Sequence, residues 1–204
     1  MAGIQLNFTN IAKFISLTGQ FLLIFFLVML SIFNQDYKGL FYVFGIMIFI
    51  GFNILLTNLY KDGTNIKRLP YYCNLFEISN LSQYSYPSQS SMIISFTLIY
   101  LLLPMIFNNQ MNFSVLSTLI TMLVIDTYSK NDMECNNYNN SLAGIFFGLM
   151  FGAIWYFIIL YTLGKRFLYF NVLGSNNVVC NRPSKQTFKC SVYKNGKLIT
   201  SNIT

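Results

Sequence analysis

Residues 14–33, FISLTGQFLLIFFLVMLSIF, run without a charge, and after the short link NQDYKG (34–39) residues 40–57, LFYVFGIMIFIGFNILLT, do the same. A helix needs about 20 consecutive apolar residues to cross the hydrocarbon of a bilayer, and both runs approach that length. The few polar residues between them predict a hairpin of two membrane-spanning helices. The first run exceeds the apolar core of a signal peptide and carries no convincing small-residue cleavage site, so it is expected to stay in place as an anchor.

The pattern continues downstream. A polar stretch, 58–91, is followed by spans at about 92–107 and 113–128 joined by the turn NNQMN (108–112), and by a fifth span at 142–163, LAGIFFGLMFGAIWYFIILYTL. Pro104 inside the third span predicts a kink, because neighbouring helices can satisfy the carbonyl it frees. Gly144, Gly148 and Gly152 recur every fourth residue of the fifth span and put small groups on one helix face, a packing surface. Composition agrees: the chain is 54% hydrophobic, 18% aromatic and 9% charged, where a soluble domain carries charge on about a quarter of its residues. The expected fold is an all-α integral membrane bundle of five transmembrane helices, or six if one escapes detection, over residues 1–163, with a basic extramembrane tail over 164–204.

Within that tail, CSVYKNGKLIT (190–200) alternates around Asn195-Gly196, the signature of a type I′ turn, and predicts a small β-hairpin. After Glu134 no acidic residue occurs, while Lys165, Arg166, Arg182, Lys185, Lys189, Lys194 and Lys197 follow, so this tail carries the whole +7. Basic residues after a span mark the cytoplasmic side. With five spans, the polar loops 58–91 and 129–141 then share the opposite, lumenal or exterior side with the N-terminus. Asn7, Asn80, Asn139 and Asn202 open N-x-S/T triplets, the first three on that lumenal side. Asp126 lies close to the end of the fourth span and is read as solvated at the interface, the alternative being a functional group at membrane depth.

Chemistry is narrowed by what is missing. The chain has no histidine, which removes the usual general acid–base, the histidine-based nucleophile arrangements and imidazole metal sites. Its four cysteines, Cys73, Cys135, Cys180 and Cys190, show no CxxC spacing, so neither a metal nor a cofactor is expected. Cys180 and Cys190 could pair if the tail met an oxidising compartment.

The two loops that share a side carry the motifs. YSYPSQSSMIISF (84–96) sets Pro87-Ser88 before the third span, and SKNDMECNNYNNSLAGIFFG (129–148) leads into the fifth. Together they resemble motifs two and three of the type 2 phosphatidic acid phosphatase family, P-S-G-H and S-R-x5-H-x3-D. Ser129 falls on the motif-three serine, Lys130 on its arginine, Asn136 on its histidine and Asn140 on its aspartate. In motif two Pro87 and Ser88 match, Gln89 replaces glycine and Ser90 replaces histidine. Motif one, K-x6-R-P, is approximated by Lys61 and Arg68, with Leu69 inserted before Pro70. The resemblance covers residues 61–163 and implies a helical bundle of lipid phosphatase type.

It also implies that the family's reaction is lost. In the family the motif-three histidine attacks phosphorus, the aspartate orients it, and the motif-two histidine protonates the leaving alcohol. Asn136, Asn140 and Ser90 offer no such nucleophile, partner or acid near neutral pH. The anion-binding half, Lys61, Arg68, Ser88 and Lys130, survives as a vestigial phosphate site. The sequence therefore points to a non-catalytic membrane scaffold, assembly subunit or lipid-headgroup binder. Its expected partners are membrane lipids and other membrane subunits rather than nucleic acid, in an endomembrane, organellar or viral membrane. Two alternatives remain open. One is a divergent phosphatase or transferase with a substitute nucleophile among Ser90, Asp132, Glu134 and Cys135, the last three read as a solvated loop. The other is a structural subunit of a larger membrane complex, with the motif match accidental.

Overall fold

A computed structural model of the chain describes residues 7–61, 73, 86–170, 189–194 and 197–203. Five helices follow one another: α1 (Phe8–Phe33), α2 (Lys38–Lys61), α3 (Gln89–Phe107), α4 (Phe113–Asp132) and α5 (Tyr138–Thr162). Each expected span coincides with one of them, the fifth running one residue past the end of α5. Four of the five, α1, α2 up to Asn58, α3 and α5, are long and apolar enough to cross a membrane. Helix α4 is of similar length but carries Asp126, Lys130 and a series of serines and threonines, which lower its hydropathy. The third helix runs on through Pro104.

Large apolar side chains cover the outside as well as filling the core, which marks a lipid-facing exterior. Phe8, Phe33 and Tyr161 stand exposed on the outside while Ser16, Ser90, Ser91, Ser95, Thr97 and Asp126 are buried. In water such an arrangement would forfeit the hydrophobic effect, whereas in lipid it places polar groups where they find partners. The chain is an integral membrane protein.

Helix α3 is the central element, buried along all of Ser90–Thr97. The glycine stripe of α5 lies directly on it. A Cβ built at Gly144 would come within 2.6 Å of the Ser88 carbonyl oxygen, one at Gly152 within 2.6 Å of the Phe96 carbonyl, and one at Gly148 would collide with Ser95 Oγ and the Met92 carbonyl. Side chains at these positions would hold the two backbones apart. On its other side α5 meets α2 through rings, Phe151 lying 4.9 Å from Phe49 and 4.4 Å from Phe52, while Trp155 Nε1 donates to the Phe41 carbonyl at 3.1 Å.

One end of the bundle gathers the tight turns. Between α1 and α2, Ser31 Oγ donates to Asp36 Oδ1 at 2.6 Å, Gly39 N donates back to Ser31 Oγ at 2.9 Å, and Lys38 Nζ sits 3.0 Å from Asp36 Oδ2. Burial pushes the Asp36 carboxyl up, but the Ser31 hydroxyl and the Lys38 charge outweigh it and hold the group below its ordinary range. Helix α5 stops at Gly164, whose φ of +84° suits a residue without a Cβ. The chain then tucks back, through a 3-10 turn at Lys165–Phe167, into this same end. Tyr169 OH donates to the Leu27 carbonyl of α1 at 3.0 Å, its ring meets Tyr42 and Tyr100, and Asn108 Nδ2 donates to the Phe170 carbonyl at 2.9 Å.

Residues 175–204 form a separate unit. In it β1 (Lys189–Lys194) pairs antiparallel with β2 (Lys197–Ile203), with a register shift between Val192 and Tyr193. The Asn195-Gly196 turn lies outside the described residues.

Candidate functional site

At the other end of the bundle, the first turn of α3 meets the C-terminal half of α4. The Ser88–Ser91 stretch supplies hydroxyls at 88, 90 and 91, and α4 supplies Asp126 and Lys130 one turn apart, on one face of the helix. Asp126 Oδ2 accepts from Ser90 Oγ at 2.8 Å and from Ser91 Oγ at 2.9 Å. Its Oδ1 accepts from Ser16 Oγ of α1 at 3.1 Å and lies 3.3 Å from Lys130 Nζ. Lys130 Nζ also donates to Ser90 Oγ. Ser88 Oγ completes the cluster, 3.2 Å from Ser91 Oγ and 3.5 Å from Ser90 Oγ. One carboxylate thus ties together α1, α3 and α4.

Asp126 was expected to be solvated at the interface; at 1% exposure it is instead the best-buried charge among the described residues. A carboxylate is tolerated there because hydroxyls and an ammonium satisfy its lone pairs. Sequence reasoning passed over the signals that point to it, namely a lysine four residues on and a serine pair at the head of the neighbouring span.

Of the residues singled out from the sequence, the structure brings Ser88, Ser90 and Lys130 into this cluster. Asn136 and Asn140 lie on the adjoining turn and the start of α5, at the same end. The Asn136 amide donates to Ser141 Oγ at 3.1 Å and its oxygen accepts from Asn137 N at 3.0 Å, so both ends of the side-chain amide are engaged at the head of α5. The Asn140 carbonyl accepts from Ser88 N at 3.2 Å, which fastens the start of α5 to the start of α3. Arg68 lies outside the described residues, as does the side chain of Lys61.

In the neighbouring segment Asp132 and Glu134 are exposed, as expected of a solvated loop, but Cys135 is not. Cys135 is buried and forms a disulfide with Cys73 across a sequence separation of 62, which removes its thiol as a nucleophile. Asp132 pairs with Lys13 of α1 at 2.9 Å, an exposed contact. Of the tail pairing considered above, Cys180 lies outside the described residues.

Chemically, hydroxyls and an ammonium at the head of a helix are the donors that hold a phosphate. Here the carboxylate of Asp126 stands among them and engages Ser90, Ser91 and Lys130. Among the described residues no group of His, Cys, Asp and Glu is arranged to hold a metal. No known protein family, curated protein or solved structure matches the chain.

Proposed function

We propose that the chain is a non-catalytic membrane scaffold or assembly subunit, a relative of the lipid phosphate phosphatases in which the phosphate site has become an internal latch. The observation that carries this reading is the Asp126 carboxylate, held by Ser16, Ser90, Ser91 and Lys130 where an anionic substrate would need the same donors. A headgroup phosphate would have to displace a buried carboxylate and leave it unpaired, so the latch reading is preferred over headgroup binding at this centre. All five helices cross the bilayer in this proposal, α4 shielding its polar face against α1 and α3. The Cys73–Cys135 bond supports placing both long loops on an oxidising side. The basic stretch from Lys165 then faces the cytosol, and the strand pair stays outside the bilayer.

One observation favours a second reading. Ser90 Oγ sits between the Lys130 ammonium and the Asp126 carboxylate, a placement that would suit a serine nucleophile. Phosphate release from phosphatidic acid in mixed micelles separates the two. The scaffold reading expects the full chain to match both a blank and the S90A variant. Turnover by the wild type that S90A abolishes would replace it with a divergent hydrolase.

A further inference from the structure

A groove with a volume of about 910 Å³ runs between α1 and α4 at the end of the bundle away from the Asp126 latch. That volume is near the top of the roughly 300–1,000 Å³ typical of small-molecule pockets. Its walls are apolar, with Leu22, Phe26 and Leu27 of α1 facing Val115, Leu119 and Met122 of α4, and the Tyr169 side closes one flank. Its rim is not apolar. Asn34, Asp36 and Lys38 from the first turn and Gln110 from the second stand at the mouth. Ser114, also in the lining, lies about 24 Å along α4 from Lys130 at 1.5 Å per residue, so the mouth of the groove lies at the end of the bundle away from the latch.

We propose that this groove binds one zwitterionic phospholipid of the leaflet on the turn side, an acyl chain lying between α1 and α4 and the headgroup resting on the rim. The commitment to a phospholipid follows from polarity. The cavity is apolar along its length and charged at one end only, which is the distribution of an amphiphile. A helix of a second copy would leave the charged rim unmatched. The commitment to a zwitterion follows from charge. Asp36 Oδ2 and Lys38 Nζ lie 3.0 Å apart, so the rim presents a carboxylate and an ammonium side by side with no net charge. A headgroup phosphate against Lys38 and its amine against Asp36 reverse that dipole, whereas an anionic headgroup meets Asp36 with no surplus cation among the described lining residues, Lys165 and Arg166 lying at the same end but outside the lining. The turn is preorganised for this, since Ser31 Oγ and Lys38 N both donate to Asp36 Oδ1 and fix the carboxylate.

The test uses the full chain reconstituted in vesicles of equal dioleoylphosphatidylcholine and dioleoylphosphatidylglycerol, then released in mild detergent for native mass spectrometry. One phosphatidylcholine per chain is expected, retained at least about fivefold more often than phosphatidylglycerol. The T118W variant, which fills the groove, is expected to keep less than a fifth of the wild-type lipid, with helicity checked by circular dichroism. Should T118W lose its helices, S114F at the exposed mouth makes the same test, and the wild-type headgroup preference needs no variant. Equal or greater retention of phosphatidylglycerol overturns the proposal. So does full lipid retention by a folded groove-filling variant, or a protein dimer in place of the lipid adduct.

Discussion

Replacing Asp126 by alanine tests whether the latch holds the bundle. The carboxylate and the Lys130 ammonium are 3.3 Å apart, with their side chains 1% and 12% exposed. With an effective dielectric of about 20, their attraction is about 5 kcal/mol, most of which offsets the cost of desolvating both charges. The net worth of the pair is therefore small, while the cost of breaking it is not. D126A leaves an ammonium unpaired in the interior and deprives three hydroxyls of their acceptor, so a loss of about 3–5 kcal/mol is expected. D126N keeps the shape and one acceptor oxygen and is expected to lose about 2–3 kcal/mol. The double variant D126L/K130M removes both charges, and the serines can turn to carbonyls of their own helices. It is expected to recover at least half of the D126A loss. Denaturant unfolding in micelles, followed by circular dichroism and the emission of the single tryptophan, Trp155, reads all three. A D126A variant within about 1 kcal/mol of wild type refutes the argument, as does a double variant that recovers none of the D126A loss.

Other positions give sharper contrasts. G148A should cost about 1–3 kcal/mol, because its Cβ meets the α3 backbone, whereas G51A, with nothing within 4 Å, should be neutral or stabilising; paired melts compare them. Y42F breaks the 2.6 Å bond to Thr97 Oγ1 and should cost about 1 kcal/mol, while Y100F removes a buried hydroxyl that has no partner among the described residues and should cost nothing in the same assay. C73S opens the Cys73–Cys135 loop and should lower stability by about 2–4 kcal/mol, and the wild type should shift on a gel when reduced. The Asp36 carboxyl titrates below its ordinary range, so its contribution to the α1–α2 turn is full above about pH 4 and is lost as pH falls through the folded value; in D36N that acid limb should vanish from the melting curve.

Four of the five spans were legible in the sequence because hydropathy over about 20 residues depends on nothing else, and the remaining one, 113–128, was legible as a helix. The glycine stripe was legible too, since a four-residue period places Gly144, Gly148 and Gly152 on one face whatever the partner. Which helix it meets was not, because that is decided by the Ser88–Phe96 backbone of α3, far away in the chain. Asp126 was misread for the same reason. Its depth depends on serines at positions 16, 90 and 91, and proximity to a span end carries no information about them. The Cys73–Cys135 pairing joins two loops whose approach is set by the helices between them. Ser88, Ser90 and Lys130 were picked out by motif position and do come together, but the carboxylate they surround belongs to no motif.

The bond from Tyr169 OH to the Leu27 carbonyl joins residues 142 positions apart, and this orders events during synthesis. At roughly 5–20 residues per second, about 7–28 s separate the emergence of Leu27 from that of Tyr169. During that interval α1 and α2 sit in the membrane without the ring that will pack against Tyr42 and Tyr100. A nonsense mutation between Leu163 and Tyr169 would therefore release a chain that contains all five helices but lacks the ring that seals this end of the bundle.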